Sequence, residues 1–387
     1  MNDKRQNSTL FLLILMGALS AFGPFITDFY LPAFPVISDY FRTSPSMVQL
    51  SLTTGLLGLG AGQLIVGPVS DKYGRKKPLL GSLVLFIIST LACLLSWNIE
   101  AFILFRLIQG MAGSGGVVIS KSVAADLYKG ERLTKFFSML MVVNGLGPII
   151  APVLGGLLMK VTGWKGIFIL LMLLGLLLLT LTFFFTESLT VEKRIKGTMV
   201  SVCNVFISVF KNKRFMCFVL SQAFAMGLLF AYIASSPFLF QVHYNLGPVT
   251  YSLCFALNAF GIMAGSWFVS LLNGRRALPI GNYGIVLMGT VFAFFLITGS
   301  SVVWIEFSLF LLMVFLGLIL PSSASLALDL ERKNGGSASS ILGFMAFLAG
   351  SIISPLVGIG DLIWSVSCAV VVCSLLSLVF SLVALRK

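Results

Sequence analysis

The stretch Gly166–Thr186, GIFILLMLLGLLLLTLTFFFT, carries no charge across 21 residues. As a helix rising 1.5 Å per residue it would be about 30 Å long, the thickness of a bilayer's hydrocarbon core. Similar runs recur along the 387-residue chain, at roughly 8–30, 47–67, 78–97, 100–126, 134–158, 166–186, 214–241, 249–271, 279–299, 302–323, 337–358 and 362–385. Hydrophobic residues make up 58% and charged residues 10%, and the mean hydropathy is +1.04. The breaks are too short for a separate soluble domain. The first run is too long for a signal-peptide core and has no small-residue cleavage pattern, so it is retained as a helix. The expected fold is an all-α integral membrane protein of twelve transmembrane helices.

A net charge of +13 in a soluble protein would suggest nucleic acid, but the placement of these charges argues against that. With both termini in the cytoplasm, 21 of the 26 Lys and Arg fall in cytoplasmic segments, among them Lys72, Arg75, Lys76, Lys77, Lys193, Arg194, Arg275 and Arg276. The outside keeps Arg42, Lys160 and Lys165. This is the positive-inside asymmetry of a multi-pass protein. The six cysteines have no metal-ligand spacing, and His243 stands alone, so no metal site is expected.

The longest charged break separates six runs from six. It divides the chain into a first bundle at 1–189, a cytoplasmic linker at 190–213 and a second bundle at 214–387. The basic turn after run two, Gly67 to Lys77, is echoed after run eight by Asn273-Gly274-Arg275-Arg276. Gly58 and Gly62 in run two, and Gly261 and Gly265 in run eight, have the small-xxx-small spacing of helices in backbone contact. Run five holds Gly147, Pro148, Pro152, Gly155 and Gly156, so a kinked, closely packed helix is expected there. Two pseudo-symmetric six-helix bundles around a central path suit alternating access.

Charge inside a membrane is costly and is read as functional. Asp28 lies within the first run and Arg106 seven residues into the fourth, at similar depths in the outer half. Both are expected to face one interior, a direct pair being one arrangement. Gln109 lies one turn from Arg106. Tyr30, Asn144, Gln222, Tyr232 and Asn258 are further polar or amphipathic residues within runs. Glu306, at the start of run ten, is read as solvated, and Lys121 as able to snorkel. At the basic turn Asp71 and Arg75 stand four apart, flanked by Gly67 and Gly74, and are placed to latch and release helix ends. There is no nucleophile–base set, and no G-x-x-x-x-G-K-[ST] loop for a built-in ATPase.

Gly67 to Lys77 resembles the loop 2–3 motif of the major facilitator superfamily. Arg106-Leu107-Ile108-Gln109-Gly110 resembles its helix 4 motif, and Gly147-Pro148 with Gly155-Gly156 its helix 5 antiporter motif. Asp28-Phe29-Tyr30-Leu31-Pro32-Ala33 is similar to the helix 1 signature of drug:proton antiporters of the bicyclomycin/chloramphenicol-resistance type. Glu187-Ser188-Leu189 resembles the Glu-Thr-Leu that closes helix 6. Lys121 stands where the family commonly has Arg, five residues before Asp126, so a bidentate contact there is lost.

The resemblance implies that Asp28 is the protonatable acid, Arg106 its partner in coupling, and Asp71 with Arg75 the cytoplasmic gate. From the residues themselves, Asp28, Tyr30, Arg106, Gln109, Asn144 and Tyr232 are expected around substrate, and Gly67, Gly74, Asp126, Gly147 and Pro148 are expected to serve the gate with Asp71 and Arg75. The expected protein is a monomeric proton-coupled exporter of small lipophilic or amphipathic drugs in the bacterial cytoplasmic membrane. It would contact lipid, bind no nucleic acid and use no cofactor, the proton being its coupling ion. An exporter of an endogenous metabolite, a proton symporter and a non-transporting sensor are the rival expectations.

Overall fold

A bilayer offers no water to backbone polar groups, so each apolar run must satisfy its own N–H and C=O groups as a helix. The computed structural model describes residues 7–128, 130–194, 208–272, 274–331 and 335–386, and every α-helix in it follows from that constraint. In chain order these are α1 Thr9–Asp28, α2 Phe34–Phe41, α3 Pro45–Tyr73, α4 Lys76–Leu94, α5 Ile99–Leu127 and α6 Gly130–Phe184. After the linker come α7 Lys213–Pro237, α8 Pro248–Leu272, α9 Gly274–Ile297, α10 Val302–Leu330, α11 Gly335–Leu356 and α12 Leu362–Leu385. The linker's 195–207 lie outside the described residues, as does Cys203.

The twelve expected runs map onto these helices in two unequal ways. α1 and α2 form one span, Thr9–Phe41, joined through a 3-10 turn at Leu31–Ala33 and closed where Arg42 turns left-handed at φ 51°. α6 holds two spans, because Gly163 at φ 67° and ψ −168° breaks the helical path between runs five and six. That is the one departure from helical dihedrals inside α6, so the chain runs through Pro148 and Pro152 as continuous helix. Several helices open on side-chain caps. The Ser8 hydroxyl accepts from Phe11 N–H, Asn98 from Ala101, Asn212 from Phe215 and Asp361 from Trp364.

Contacts group Met1–Tyr30 with Thr54–Thr198 in one unit, and Leu31–Thr53 with Met199–Lys387 in the other. The sequence reading puts 31–53 in the first bundle; by contact they join the second unit. Three interactions bring them there. Gln49 Nε2 donates to the Ala234 carbonyl at 3.1 Å, Gln241 Nε2 donates to the Pro32 carbonyl at 3.2 Å, and the Phe34 and Phe238 rings lie 6.0 Å apart.

In each unit a helix pair packs backbone to backbone at matching positions. In the first, Gly58 of α3 faces the Leu107 carbonyl and Gly110 of α5, while Gly110 faces the Gly55 carbonyl. In the second, Gly265 of α8 faces the Val314 carbonyl and Gly317 of α10, while Gly317 faces the Ile262 carbonyl. Every partner lies 207 positions after its counterpart: Gly55 to Ile262, Gly58 to Gly265, Leu107 to Val314 and Gly110 to Gly317. The two halves therefore repeat one packing solution. Without a hydrophobic drive between helices in lipid, such close approach supplies the van der Waals contact that holds them. The outward faces stay apolar, as at Leu173, Leu176 and Leu177 on α6 and Leu287 and Phe294 on α9.

Gly110→Ala would drive a methyl into the Gly55 carbonyl, an overpacking cost of about 1–3 kcal/mol. It should lower the thermal unfolding midpoint of the detergent-solubilised protein. Gly81→Ala, on α4 with nothing within 4 Å of the added carbon, should leave it unchanged or raise it.

Candidate functional site

Arg106 is fully buried, at 0% exposure, two turns into α5. Its guanidinium is held by neutral groups. Nη2 donates to the Ile26 carbonyl at 2.8 Å and Nη1 to Gln109 Oε1, while the cation lies 4.2 Å from the centre of the Tyr30 ring and 5.8 Å from that of Phe168. The Ile26 carbonyl is available because α1 ends at Asp28, and the last four carbonyls of a helix have no intrahelical donor. Gln109 passes the chain onward, its Nε2 donating to Thr90 Oγ1 at 2.7 Å, and Thr90 donating to the Phe86 carbonyl at 2.7 Å. One cation thus fastens α5 to α1 and, through Gln109, to α4. Its Nε–H has no partner among the described residues.

Asp28 is also buried, at 5% exposure, but it does not pair with Arg106. Its Oδ1 accepts from Thr27 Oγ1 at 2.8 Å, and no ion pair reaches it among the described residues. The direct pair considered from sequence is therefore absent, because Arg106 is taken up by the α1 backbone, Gln109 and the two rings. Asp28, Tyr30, Arg106 and Gln109 do lie together in the first unit. Tyr232 lies in the second unit, buried, its hydroxyl accepting from Asn258 Nδ2 at 3.0 Å. The side chain of Asn144 lies outside the described residues. Glu306 corrects the expectation of a solvated acid. It is half-buried, its Oε1 accepts from Asn258 Nδ2 at 3.0 Å, and its Oε2 is buried without a partner.

At the α3–α4 turn the gate residues form a second cluster. Arg75 donates through Nε to Asp126 Oδ2 at 2.9 Å and through Nη2 to Asp126 Oδ1 at 3.3 Å. Its Nη1 reaches Asp71 at 2.5 Å and Ser70 at 2.8 Å. Burial alone would lower the Arg75 pKa; hydrogen bonds and negative charge from Asp126 and Asp71 outweigh it and raise the pKa above the usual value. Ser188 donates to Asp126 Oδ2 at 2.9 Å.

Sequence reasoning matched Glu187 to a motif and missed its function. Its Oε1 accepts from Arg75 N–H at 2.9 Å and its Oε2 from Lys76 N–H at 3.1 Å, satisfying the orphan donors that open α4. The ends of α3, α4, α5 and α6 are tied together at this point.

The glycines of the expected gate are unequal. Gly74 turns at φ +92°, and an added Cβ would meet Glu187 Oε2. Gly67 is different: it lies inside α3 and has nothing nearer than Val118 at 3.9 Å, so no tight turn depends on it. Gly147 packs α6 onto Pro24 of α1, and Gly155 packs it onto the Phe29 carbonyl; Pro148 follows within the continuous helix.

Asp126→Asn should destabilise the purified protein by about 3 kcal/mol, the lower end of the range for breaking a buried pair. Asp71, whose side chain is 38% exposed against 14% for Asp126, should cost under about 1 kcal/mol when changed to Asn. Thermal unfolding in detergent measures both, and equal losses would contradict this ranking.

Comparison with known proteins agrees with this architecture. The family model for the Major Facilitator Superfamily matches residues 10–355. An uncharacterized MFS-type transporter of Bacillus subtilis, YdgK, is 38% identical over 359 residues, covering 91% of this chain and 89% of that protein. A bicyclomycin resistance protein homolog of Haemophilus influenzae is 28% identical over 367 residues, covering 91% and 90%. Among solved structures, a bacterial homolog of the human lysosomal transporter Spinster superposes with a TM-score of 0.78 at 16% identity, covering 98% of each chain, which speaks to the fold alone. The helices, the repeated packing and these matches lead to one identification: the chain belongs to the Major Facilitator Superfamily and is a multi-pass membrane transporter, not an enzyme.

Proposed function

We propose that the protein exports small lipophilic or amphipathic drugs across the bacterial cytoplasmic membrane in exchange for protons. The observation that carries this reading is Asp28, a buried acid on a spanning helix with no cation paired to it. A carboxyl that no resident cation neutralises is free to be neutralised by a proton. Arg106, held by neutral groups beside it, keeps the surrounding helices in place while Asp28 changes state. The likeness to the Haemophilus bicyclomycin resistance protein homolog supports a drug as cargo. The basic loops support an orientation with both termini in the cytoplasm.

In the cycle, a proton from outside loads the Asp28 carboxylate while the path is open outward. The bundles rock, the proton leaves to the cytosol, and cargo enters the vacated site. The Arg75–Asp71–Asp126 latch ties helix ends within the first unit, and the Gln49–Ala234 and Gln241–Pro32 hydrogen bonds tie segments within the second, so that each moves as a body. No cofactor is required.

The test is compound-evoked proton movement in vesicles carrying the purified protein and an imposed pH gradient. A panel of cationic, neutral and anionic compounds should contain some that evoke proton release. Asp28→Asn should reduce the rate of their export at least about tenfold, the effect of ~1.4 kcal/mol on a barrier, without loss of fold. Export by Asp28→Asn at the full rate would remove Asp28 from the mechanism. No response to any compound would favour a dedicated metabolite exporter or a sensor.

A further inference from the structure

The second unit repeats the backbone packing of the first but not its chemistry. The position 207 residues after Arg106 is Met313, and the one after Gln109 is Leu316, both fully buried and apolar. An acid with a buried, unpartnered oxygen lies elsewhere in this unit. Glu306 sits four residues after the start of α10, ~6 Å along the helix axis. It is joined to α8 by Asn258 and, through the same amide nitrogen, to Tyr232 of α7.

Three features set this cluster apart. Asn258 is 1% exposed and Tyr232 4%, so both polar groups are withdrawn from solvent. The Tyr232 ring stacks on Phe255 at 5.5 Å, and Tyr251 stands 6.2 Å from Phe255 on its other contact. Two acceptors, Glu306 Oε2 and Asn258 Oδ1, are buried with no hydrogen-bond donor. The titratable groups facing Glu306 are Tyr232 from α7 and Cys254 from α8, and no ion pair reaches it among the described residues.

We propose that Glu306, supported by Asn258 and Tyr232, is a second proton-carrying site of the transporter. An ionised carboxylate here would be a half-buried charge with one oxygen unsolvated and no cation among the described residues to offset it, an arrangement that a low-dielectric surrounding disfavours. A proton on Oε2 removes the charge and turns one of the two orphan acceptors into a donor. The exchange is a proton transfer alone. Water on one side gives up a proton as the O–H bond forms on Oε2, and water on the other side receives it when that bond breaks. Asn258 holds Oε1 in both states, which fixes the carboxyl while its other oxygen gains and loses the proton. This inference rests on the proton coupling proposed above and extends it to a coupling ratio.

The experiment counts protons per cargo in vesicles, following an internal pH dye and labelled cargo in parallel. Glu306→Gln keeps the side chain's shape and its acceptor for Asn258, and should lower the ratio by one proton with cargo still moved. A ratio unchanged from the unmodified protein would overturn the proposal. A second reading does not depend on that variant's folding. In Asp28→Asn protein with Glu306 intact, the infrared spectrum should show a protonated-carboxyl stretch near neutral pH that disappears on alkalinisation. Its absence throughout would also overturn the proposal. If the unmodified protein moves cargo with no protons at all, the proposed antiport fails, and the infrared band still reports on Glu306 independently.

Discussion

A guanidinium with no access to water must find its partners inside the protein, and the first unit is arranged around that requirement. Arg106 carries a charge that a bilayer interior does not solvate. It takes the carbonyl released by the end of α1, the amide oxygen of Gln109 and the faces of Tyr30 and Phe168. Each of these fixes something else. The α1 terminus sets where the span turns toward α2, Gln109 ties α5 to Thr90 of α4, and Phe168 brings in the second arm of α6. Neutral groups engage Nη1, Nη2 and the face of the cation, and among the described residues Asp28 keeps a threonine hydroxyl as its partner and no cation.

The duplicated half shows what is structural and what is chemical in this fold. Backbone approach between α3 and α5 recurs between α8 and α10 at an identical sequence offset, through glycines whose missing side chains permit it. The buried arginine does not recur. Close helix packing is a demand of the membrane on both halves, whereas an embedded charge is a cost that only a function repays. The second unit carries its own acid two turns nearer the start of the helix, where the first unit has Ile99.

Much of the fold is legible in the sequence because bilayer thickness and backbone hydrogen bonding leave few alternatives. The twelve runs, the break near Gly163 and the glycine spacings are all written in composition and period. The site is only partly so. Asp28, Arg106 and Gln109 are visible as polar residues in apolar runs, yet sequence does not say which partner Arg106 chooses. Helix phase and the free carbonyl of Ile26 decide that. Glu306 reads as solvated because it lies close to a helix start; its burial depends on Asn258 and Tyr232, 48 and 74 residues away in sequence. Glu187 reads as the end of a span, and its capping of α4 depends on a fold that returns 185–189 to the α3–α4 turn. Gly67 reads as a turn residue from its neighbours, although α3 continues past it to Tyr73.

The central claim is that Asp28, left unpaired by Arg106, gives up a proton when cargo binds. The most direct measurement is calorimetric binding of a transported compound to the purified protein in buffers of different ionisation enthalpy, which gives protons released per molecule bound. The account predicts net release that falls by one proton in Asp28→Asn. Binding without release, or release unchanged in Asp28→Asn, would contradict it.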